Sequence, residues 1–222
     1  MQKCKSTEAK KLKKTLIEIY DRLYSRFGPQ RWWPGDTPFE IAVGAILTQN
    51  TNWGNVEKAI ANLKQAGKLG PKALHAVSVG ELASMIRPAG YFNIKADRLR
   101  HFIDFLADNY NGSMKKMMAE EPLPLREKLL GVKGIGPETA DSILLYALEK
   151  PVFVIDAYTK RILSRHKIVS EKAAYHDLQD MFHENLPRDV KLYNEYHALF
   201  VMLGKDFCRP KPRCEGCPLQ AL

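Results

Sequence analysis

No apolar run in this chain approaches the roughly 20 residues needed to span a bilayer, which argues against a membrane-spanning helix. The first fifteen residues, Met1 to Thr15, are basic but lack an apolar stretch, so they do not read as a secretory signal. Alternating, strand-like hydrophobicity is just as scarce. Nothing exceeds Pro151–Ile155, too short and isolated to imply a sheet. No internal repeat, low-complexity tract or obvious linker appears. Cysteine is sparse too: of four, Cys4 stands alone, and Cys208, Cys214 and Cys217 fall within ten residues of one another. In a reducing compartment, such a cluster reads as ligands for a metal or an iron–sulfur centre rather than as disulfides. A soluble, cytoplasmic protein is expected.

What is present is apolar content, positive charge and helical periodicity. With 222 residues and 45% apolar side chains the chain can bury a full core, as one large domain or two small lobes. Its 34 basic against 25 acidic residues leave a net charge of +9, which favours a polyanionic partner through counterion release. A ribosome-associated or merely soluble basic protein would satisfy the same balance. Leu12, Leu16, Ile19, Tyr20, Leu23 and Phe27 share one helical face. Phe39 to Gln49 fits a buried helix, Val56, Ile60 and Leu63 mark the next, and Leu82, Met85 and Ile86 end at Pro88-Ala89-Gly90. Ala96, Leu99, Phe102, Ile103 and Leu106 mark another, and helical patterns flank the glycines near residue 134 and continue to Phe200. The expected class is all-α, with about ten helices.

The stretch from Gly131 to Tyr158, GVKGIGPETADSILLYALEKPVFVIDAY, carries the chemistry. In Val132, Lys133, Gly134, Ile135 and Gly136, glycines two apart permit a sharp turn and close backbone approach. Pro137 suits a first helical position and Glu138 the first turn. The free N–H groups of such a helix start can hold a phosphate, although an ordinary helix–turn–helix connection fits as well. Asp156 opens a further helix after the short extended segment, as a plain N-cap would.

The wider pattern resembles the helix-hairpin-helix DNA glycosylase superfamily, which includes endonuclease III. Besides the hairpin and Asp156, the resemblance runs through Ala45–Thr51 (AILTQNT), Gly90–Leu99 (GYFNIKADRL) and Leu203–Pro218 (LGKDFCRPKPRCEGCP). It implies a two-lobed all-α fold with a cleft between a helical barrel lobe, residues 38–150 with the hairpin unit at about 125–148, and a lobe formed by both termini, 1–37 plus 151–222. It makes Val132 to Gly136 contacts to the DNA backbone, with Arg87, Lys95 and Arg98 as further candidates, and Asp156 the catalytic carboxylate. That carboxylate would stabilise an oxocarbenium-like sugar as the base leaves and help deprotonate the attacking water. The partner is double-stranded DNA containing damaged bases, bound by a nucleoid-associated monomer.

Glu138 stands where endonuclease III has the lysine that forms a Schiff base and permits strand cleavage. A glutamate cannot form an imine, so the resemblance implies base removal without lyase chemistry. Within the superfamily, Arg31–Glu40 (RWWPGDTPFE), Ala45–Trp53 (AILTQNTNW) and Gly134–Leu144 (GIGPETADSIL) are most similar to 3-methyladenine DNA glycosylase III. There, the matching Trp32, Trp33, Pro34 and Trp53 form the base pocket, and each could equally be ordinary core. Electron-rich rings suit an alkylated purine, which carries positive charge. Gln49 falls where the superfamily fills the gap left by the extruded nucleotide, with Asn50 beside it, and an exposed polar residue at a helix end is the plain alternative. The rivals are a bifunctional endonuclease III-like enzyme acting on oxidised pyrimidines and a hairpin module that only binds DNA.

The C-x5-C-x2-C run of Cys208, Cys214 and Cys217 resembles the C-x6-C-x2-C-x5-C of endonuclease III relatives, which implies a [4Fe–4S] cluster, or else zinc. The first gap is one residue shorter here, and the fourth cysteine of that pattern would fall at position 223. Cys4, in a basic tail, is a poor replacement.

Overall fold

The computed structural model describes the backbone of residues 2–222 and the side chains from residue 10 onward, so the Cys4 thiol lies outside the described residues. Twelve α-helices and no strand form among them, as the all-α reading expected. The chain makes two compact units, one of Trp33–Lys150 and one of the residues up to Trp32 together with Pro151–Leu222. Helix α1 (Gln2–Phe27) belongs to the latter.

The 33–150 unit is built on α2 (Pro38–Leu47), which is apolar all round and buries eight of its ten residues, the mark of a core helix. Thr37 starts it by accepting the Glu40 N–H, and Pro38 takes the first helical position, where no N–H is needed. Glu40 is buried too, and the Lys64 ammonium 2.7 Å away balances its charge. α3 (Trp53–Gln65) and α6 (Phe92–Tyr110) pack on α2, and between these two in the chain come α4 (Pro71–His75), α5 (Val79–Met85) and a 3₁₀ turn (Arg87–Ala89). Then follow α7 (Met114–Met118), α8 (Pro122–Leu130) and α9 (Pro137–Ser142), which runs into a single π-helical turn, Ile143–Ala147. Ser78 and Glu81 form a reciprocal capping box on α5. α6 buries the predicted Ala96, Leu99, Phe102, Ile103 and Leu106, and stops at Asn111 in the left-handed conformation.

The other unit packs α1, through Leu16, Ile19 and Leu23, with α10 (Ala157–Arg165), α11 (Tyr175–Asn185) and α12 (Val190–Asp206). Its core is aromatic. Phe153 stacks on Phe182 at 3.8 Å between centroids, and Tyr196 stacks on Phe200 at 4.8 Å. The extended segment before Asp156 forms no sheet because side chains satisfy its backbone. Phe153 N–H donates to His183 Nε2 (2.9 Å), Gln179 Nε2 donates to Phe153 O (2.7 Å), and Ile155 N–H donates to the Tyr175 hydroxyl (3.3 Å).

Candidate functional site

The hairpin joins α8 to α9. Val132 and Ile135 are buried, whereas Lys133, Gly134, Gly136 and Glu138 are exposed. Ile135 N–H donates to Val132 O and Val132 N–H to Leu129 O, both at 3.0 Å, so these two amides are engaged within the turn. The exposed residues of the turn are Lys133, Gly134 and Gly136, the last of them the N-cap of α9. Gly134 has φ +91, a conformation that side chains resist, and a Cβ there would lie 2.3 Å from Cγ of Arg98 on α6. Behind the turn, Arg126 of α8 grips Asp141 of α9 with two bonds, Nε–Oδ1 at 2.6 Å and Nη2–Oδ2 at 3.0 Å, and Asp141 is fully buried.

At the end of α2, Thr51 N–H donates to Thr48 O (3.1 Å), which puts Gln49 and Asn50 at the two central positions of a turn. Their side chains part company. Gln49 Nε2 donates to Gly134 O (3.1 Å) and to Thr139 Oγ1 (2.9 Å), while its Oε1 accepts from the Arg98 guanidinium. Breaking all three bonds, one of them to a charged group, would cost about 2–6 kcal/mol. Asn50 is exposed, in the left-handed conformation at φ 52.

Two of the predicted pocket tryptophans converge in the 33–150 unit. Trp33 packs edge-on to Trp53 (5.1 Å) and stacks on Tyr146 (4.7 Å, 23° between planes). Gly44 of α2 forms the floor, its Cβ direction pointing at Trp33 Nε1 and Trp53 Cη2, each 3.5 Å away. Trp53 Nε1 donates to Glu57 Oε1 (2.9 Å), an i,i+4 bond that fixes the ring. Pro34 is exposed. Trp32 falls in the other unit, with the Lys205 ammonium 5.4 Å from its ring.

Asp156 is the N-cap of α10, its Oδ1 accepting Thr159 N–H at 2.7 Å. Its Oδ2 faces His197 Nε2 of α12 at 3.6 Å, with only 11% and 5% of the two side chains exposed. α10 and α12 can approach this closely because of Gly204, where a Cβ would overlap the Tyr158 ring at 2.2 Å. Burial pushes the Asp156 carboxyl up, but the neighbouring His197 and the Thr159 amide outweigh it and hold the group below the ordinary aspartate range. The site therefore offers a buried carboxylate that is ionised at neutral pH, one oxygen locked by the cap and the other beside an imidazole.

Comparison with known proteins decides the family. Residues 43–188 match the family described as HhH-GPD superfamily base excision DNA repair protein, well over half of the chain. The chain belongs to this superfamily. A Methanocaldococcus jannaschii protein provisionally assigned as a DNA repair glycosylase is 47% identical over 206 residues, 92% of this chain and 94% of its own. Among solved structures, the 3-methyladenine DNA glycosylase (MagIII) of Helicobacter pylori, bound to 1,N6-ethenoadenine, superposes with a TM-score of 0.73 at 30% identity. That match covers 87% of this chain and 97% of the other. A trapped endonuclease III–DNA covalent intermediate shares the fold, with a TM-score of 0.80 at 22% identity over 93% of each chain.

One sequence expectation for this HhH-GPD glycosylase needs correction, and a second goes unsupported. Lys95 is not available to a DNA backbone, because its side chain is 1% exposed and its ammonium donates to Leu47 O (2.8 Å) and Ala89 O (2.7 Å). The signal was in the α6 pattern: Lys95 precedes Leu99, Phe102 and Leu106 by 4, 7 and 11 residues, which places it on the buried face. The metal-ligating role expected of the cysteine loop gains no support from the described residues. Among the described residues no group of three or more His, Cys, Asp or Glu is placed to hold a metal ion. Arg165 instead donates to Cys208 Sγ (3.3 Å), Arg209 O (2.6 Å) and Pro210 O (2.9 Å), and Arg161 to Cys208 O (2.7 Å). Guanidinium groups thus order the start of this loop. Arg87 and Arg98 remain on the surface side of their elements, exposed and partly exposed. No described helix is long and apolar enough to cross a membrane.

Lys95 also yields a test. Burial, and secondarily the charge of Arg98, pull its amine down from 10.5 to about 8. Between those values the unfolded chain binds a proton that the native one does not, so this group makes stability rise with pH across that window and withdraws the gain as pH falls through about 8. Urea unfolding at pH 7.5 and 9.5 should show the wild type gaining stability relative to Lys95→Met at the higher pH. A constant difference would refute the assignment.

Sequence reading passed over four further residues. His197 lies on the buried face of α12, four residues after Tyr193. Tyr146 comes from the π-helical turn, a feature common at functional sites, and Arg126 pairs across the hairpin. Tyr91, the N-cap of α6, has φ 45 and is 68% exposed, an unusual state for a large aromatic. Its signal was an aromatic directly after Gly90 at a helix start.

Proposed function

We propose that this glycosylase is monofunctional: it removes alkylated purines of the 3-methyladenine kind from double-stranded DNA and leaves an abasic site. Glu138 carries the reading. The first turn of α9 presents a carboxylate there, exposed to solvent, and a carboxylate has no amine with which to form an imine at C1′. Asp156 then acts as an electrostatic partner rather than as a helper to a lysine. As the C1′–N bond breaks, its electron pair leaves with the cationic purine, which departs neutral. The carboxylate stabilises the positive sugar, and water adds to C1′ and gives up a proton toward Asp156.

Such a substrate needs little acid catalysis, because its charge already weakens the glycosidic bond. It does need a surface for a cationic base, which the faces of Trp33 and Trp53 supply, with Trp32 and Pro34 assigned to the same pocket. The likeness to the Helicobacter pylori 3-methyladenine enzyme, with its bound ethenoadenine, supports an alkylated purine over an oxidised pyrimidine. Lys133, Gly134 and Gly136 are assigned to a backbone phosphate, Gln49 or Asn50 to the gap left by the extruded nucleotide, and the exposed ring of Tyr91 to the base stack beside it.

The test is base release from duplexes carrying 3-methyladenine, 7-methylguanine or thymine glycol, and from undamaged duplex, developed with and without alkali. Strand breaks only after alkali, and only with the methylated purines, are the expected result. A covalent protein–DNA adduct trapped by borohydride would overturn the monofunctional assignment, and cleavage confined to thymine glycol would overturn the substrate class.

A further inference from the structure

We infer that Gln49 is a positioning residue for the hairpin, which leaves the gap-filling role already assigned to this turn to Asn50. The inference rests on the proposed binding of duplex DNA. Both side chains sit at the centre of the turn closed between Thr48 and Thr51, so sequence position alone does not separate them. Their surroundings do. Both hydrogens of the Gln49 amide are used, one on the carbonyl of Gly134 and one on the hydroxyl of Thr139, and its oxygen takes the Arg98 guanidinium. One amide thereby ties together the end of α2, the hairpin turn, the first turn of α9 and α6.

The Gly134–Ile135 peptide is held on both sides: its N–H reaches Val132 O within the turn, and its carbonyl reaches Gln49. The Arg98 stem lies so close to Gly134 that only glycine fits, and Gln49 holds the far end of that same side chain. With this peptide fixed, the exposed groups of Lys133, Gly134 and Gly136 keep one orientation toward a phosphate. Were Gln49 to swing into the base stack, the Gly134 carbonyl, the Thr139 hydroxyl and the Arg98 guanidinium would all lose their partner as the hairpin took up the backbone. Asn50 gives up nothing comparable. It is exposed, and its left-handed backbone already places it at the tip.

The two roles separate by measuring Kd, by fluorescence anisotropy, for one duplex in two versions: undamaged, and with a tetrahydrofuran abasic analogue. Gln49→Ala should weaken both by the same factor, about tenfold, and lower the slope of log Kd on log salt by roughly one phosphate contact. Asn50→Ala should leave the undamaged duplex and the salt slope unchanged and weaken the abasic duplex about tenfold. Thr139→Val, a milder change that removes one of the three bonds, should reproduce the Gln49→Ala pattern with a smaller factor, and it decides the matter should Gln49→Ala fail to fold. Loss of abasic binding alone in Gln49→Ala, or an unchanged salt slope, would overturn the positioning role. A wild type that binds neither duplex would overturn the DNA-binding reading as well, so the two failures are distinguishable.

Discussion

Asp156→Asn is expected to slow base release by at least 10²–10³-fold, the loss typical of deleting one preorganised electrostatic group, while the protein stays folded and still binds damaged duplex. The substitution isolates the charge. Asparagine caps helices about as well as aspartate, so the bond from Thr159 N–H survives, and at neutral pH only the stabilisation carried by the charge itself is lost. Asp156→Ala removes charge and cap together and should lose about 1 kcal/mol of stability besides. Because the carboxyl is held below the ordinary aspartate range, the acid limb of the wild-type rate profile should also lie below it. The same depression stabilises the fold above the ordinary aspartate value and is lost as pH falls through the lowered one. Single-turnover rates at saturating enzyme are the measurement. An unchanged rate in Asp156→Asn would remove this residue from the chemistry.

Arg126→Ala is expected to be the most destabilising single change in the hairpin unit, lowering the free energy of unfolding by about 3–5 kcal/mol. The reason is asymmetry. Asp141 is fully buried, so deleting Arg126 takes two charge-assisted bonds from a carboxylate that water does not reach, whereas Arg126 itself is 23% exposed. Replacing the pair together, Arg126→Met with Asp141→Leu, should recover most of the loss, because no charge then remains buried. Urea denaturation of the two single variants and the double variant closes the cycle. If Arg126→Ala moved the midpoint no more than an ordinary surface change, about 0.5 kcal/mol, the pair would not be what braces α8 on α9.

Much of the site is legible in short stretches of sequence because its signals are local. A glycine two residues from another, followed by Pro137 and Glu138, is a turn and a helix start whatever surrounds it, and Asp156 before a helical pattern is a cap. The buried faces of α1 and α6 follow from a period of 3.6 residues, and the same period, carried one position further back, would have put Lys95 inside. Other features have no local signal. Trp33, Trp53 and Tyr146 come from a loop, a helix start and a π-helical turn, and the two tryptophans meet over Gly44 of α2.

Sequence by itself determined the helical class, the hairpin, the carboxylate at 156 and the glutamate at 138, since each is a property of neighbouring residues. Tertiary structure alone decided what those residues touch. It brought His197 beside Asp156 across 41 positions of chain, through the close approach at Gly204. It turned Gln49 back onto Gly134, Thr139 and Arg98 while leaving Asn50 outside. It also set Arg165 against Cys208 and the carbonyls that follow it. Those outcomes depend on how helices far apart in sequence pack, and on which polar groups the packing leaves to be satisfied, neither of which a local pattern encodes.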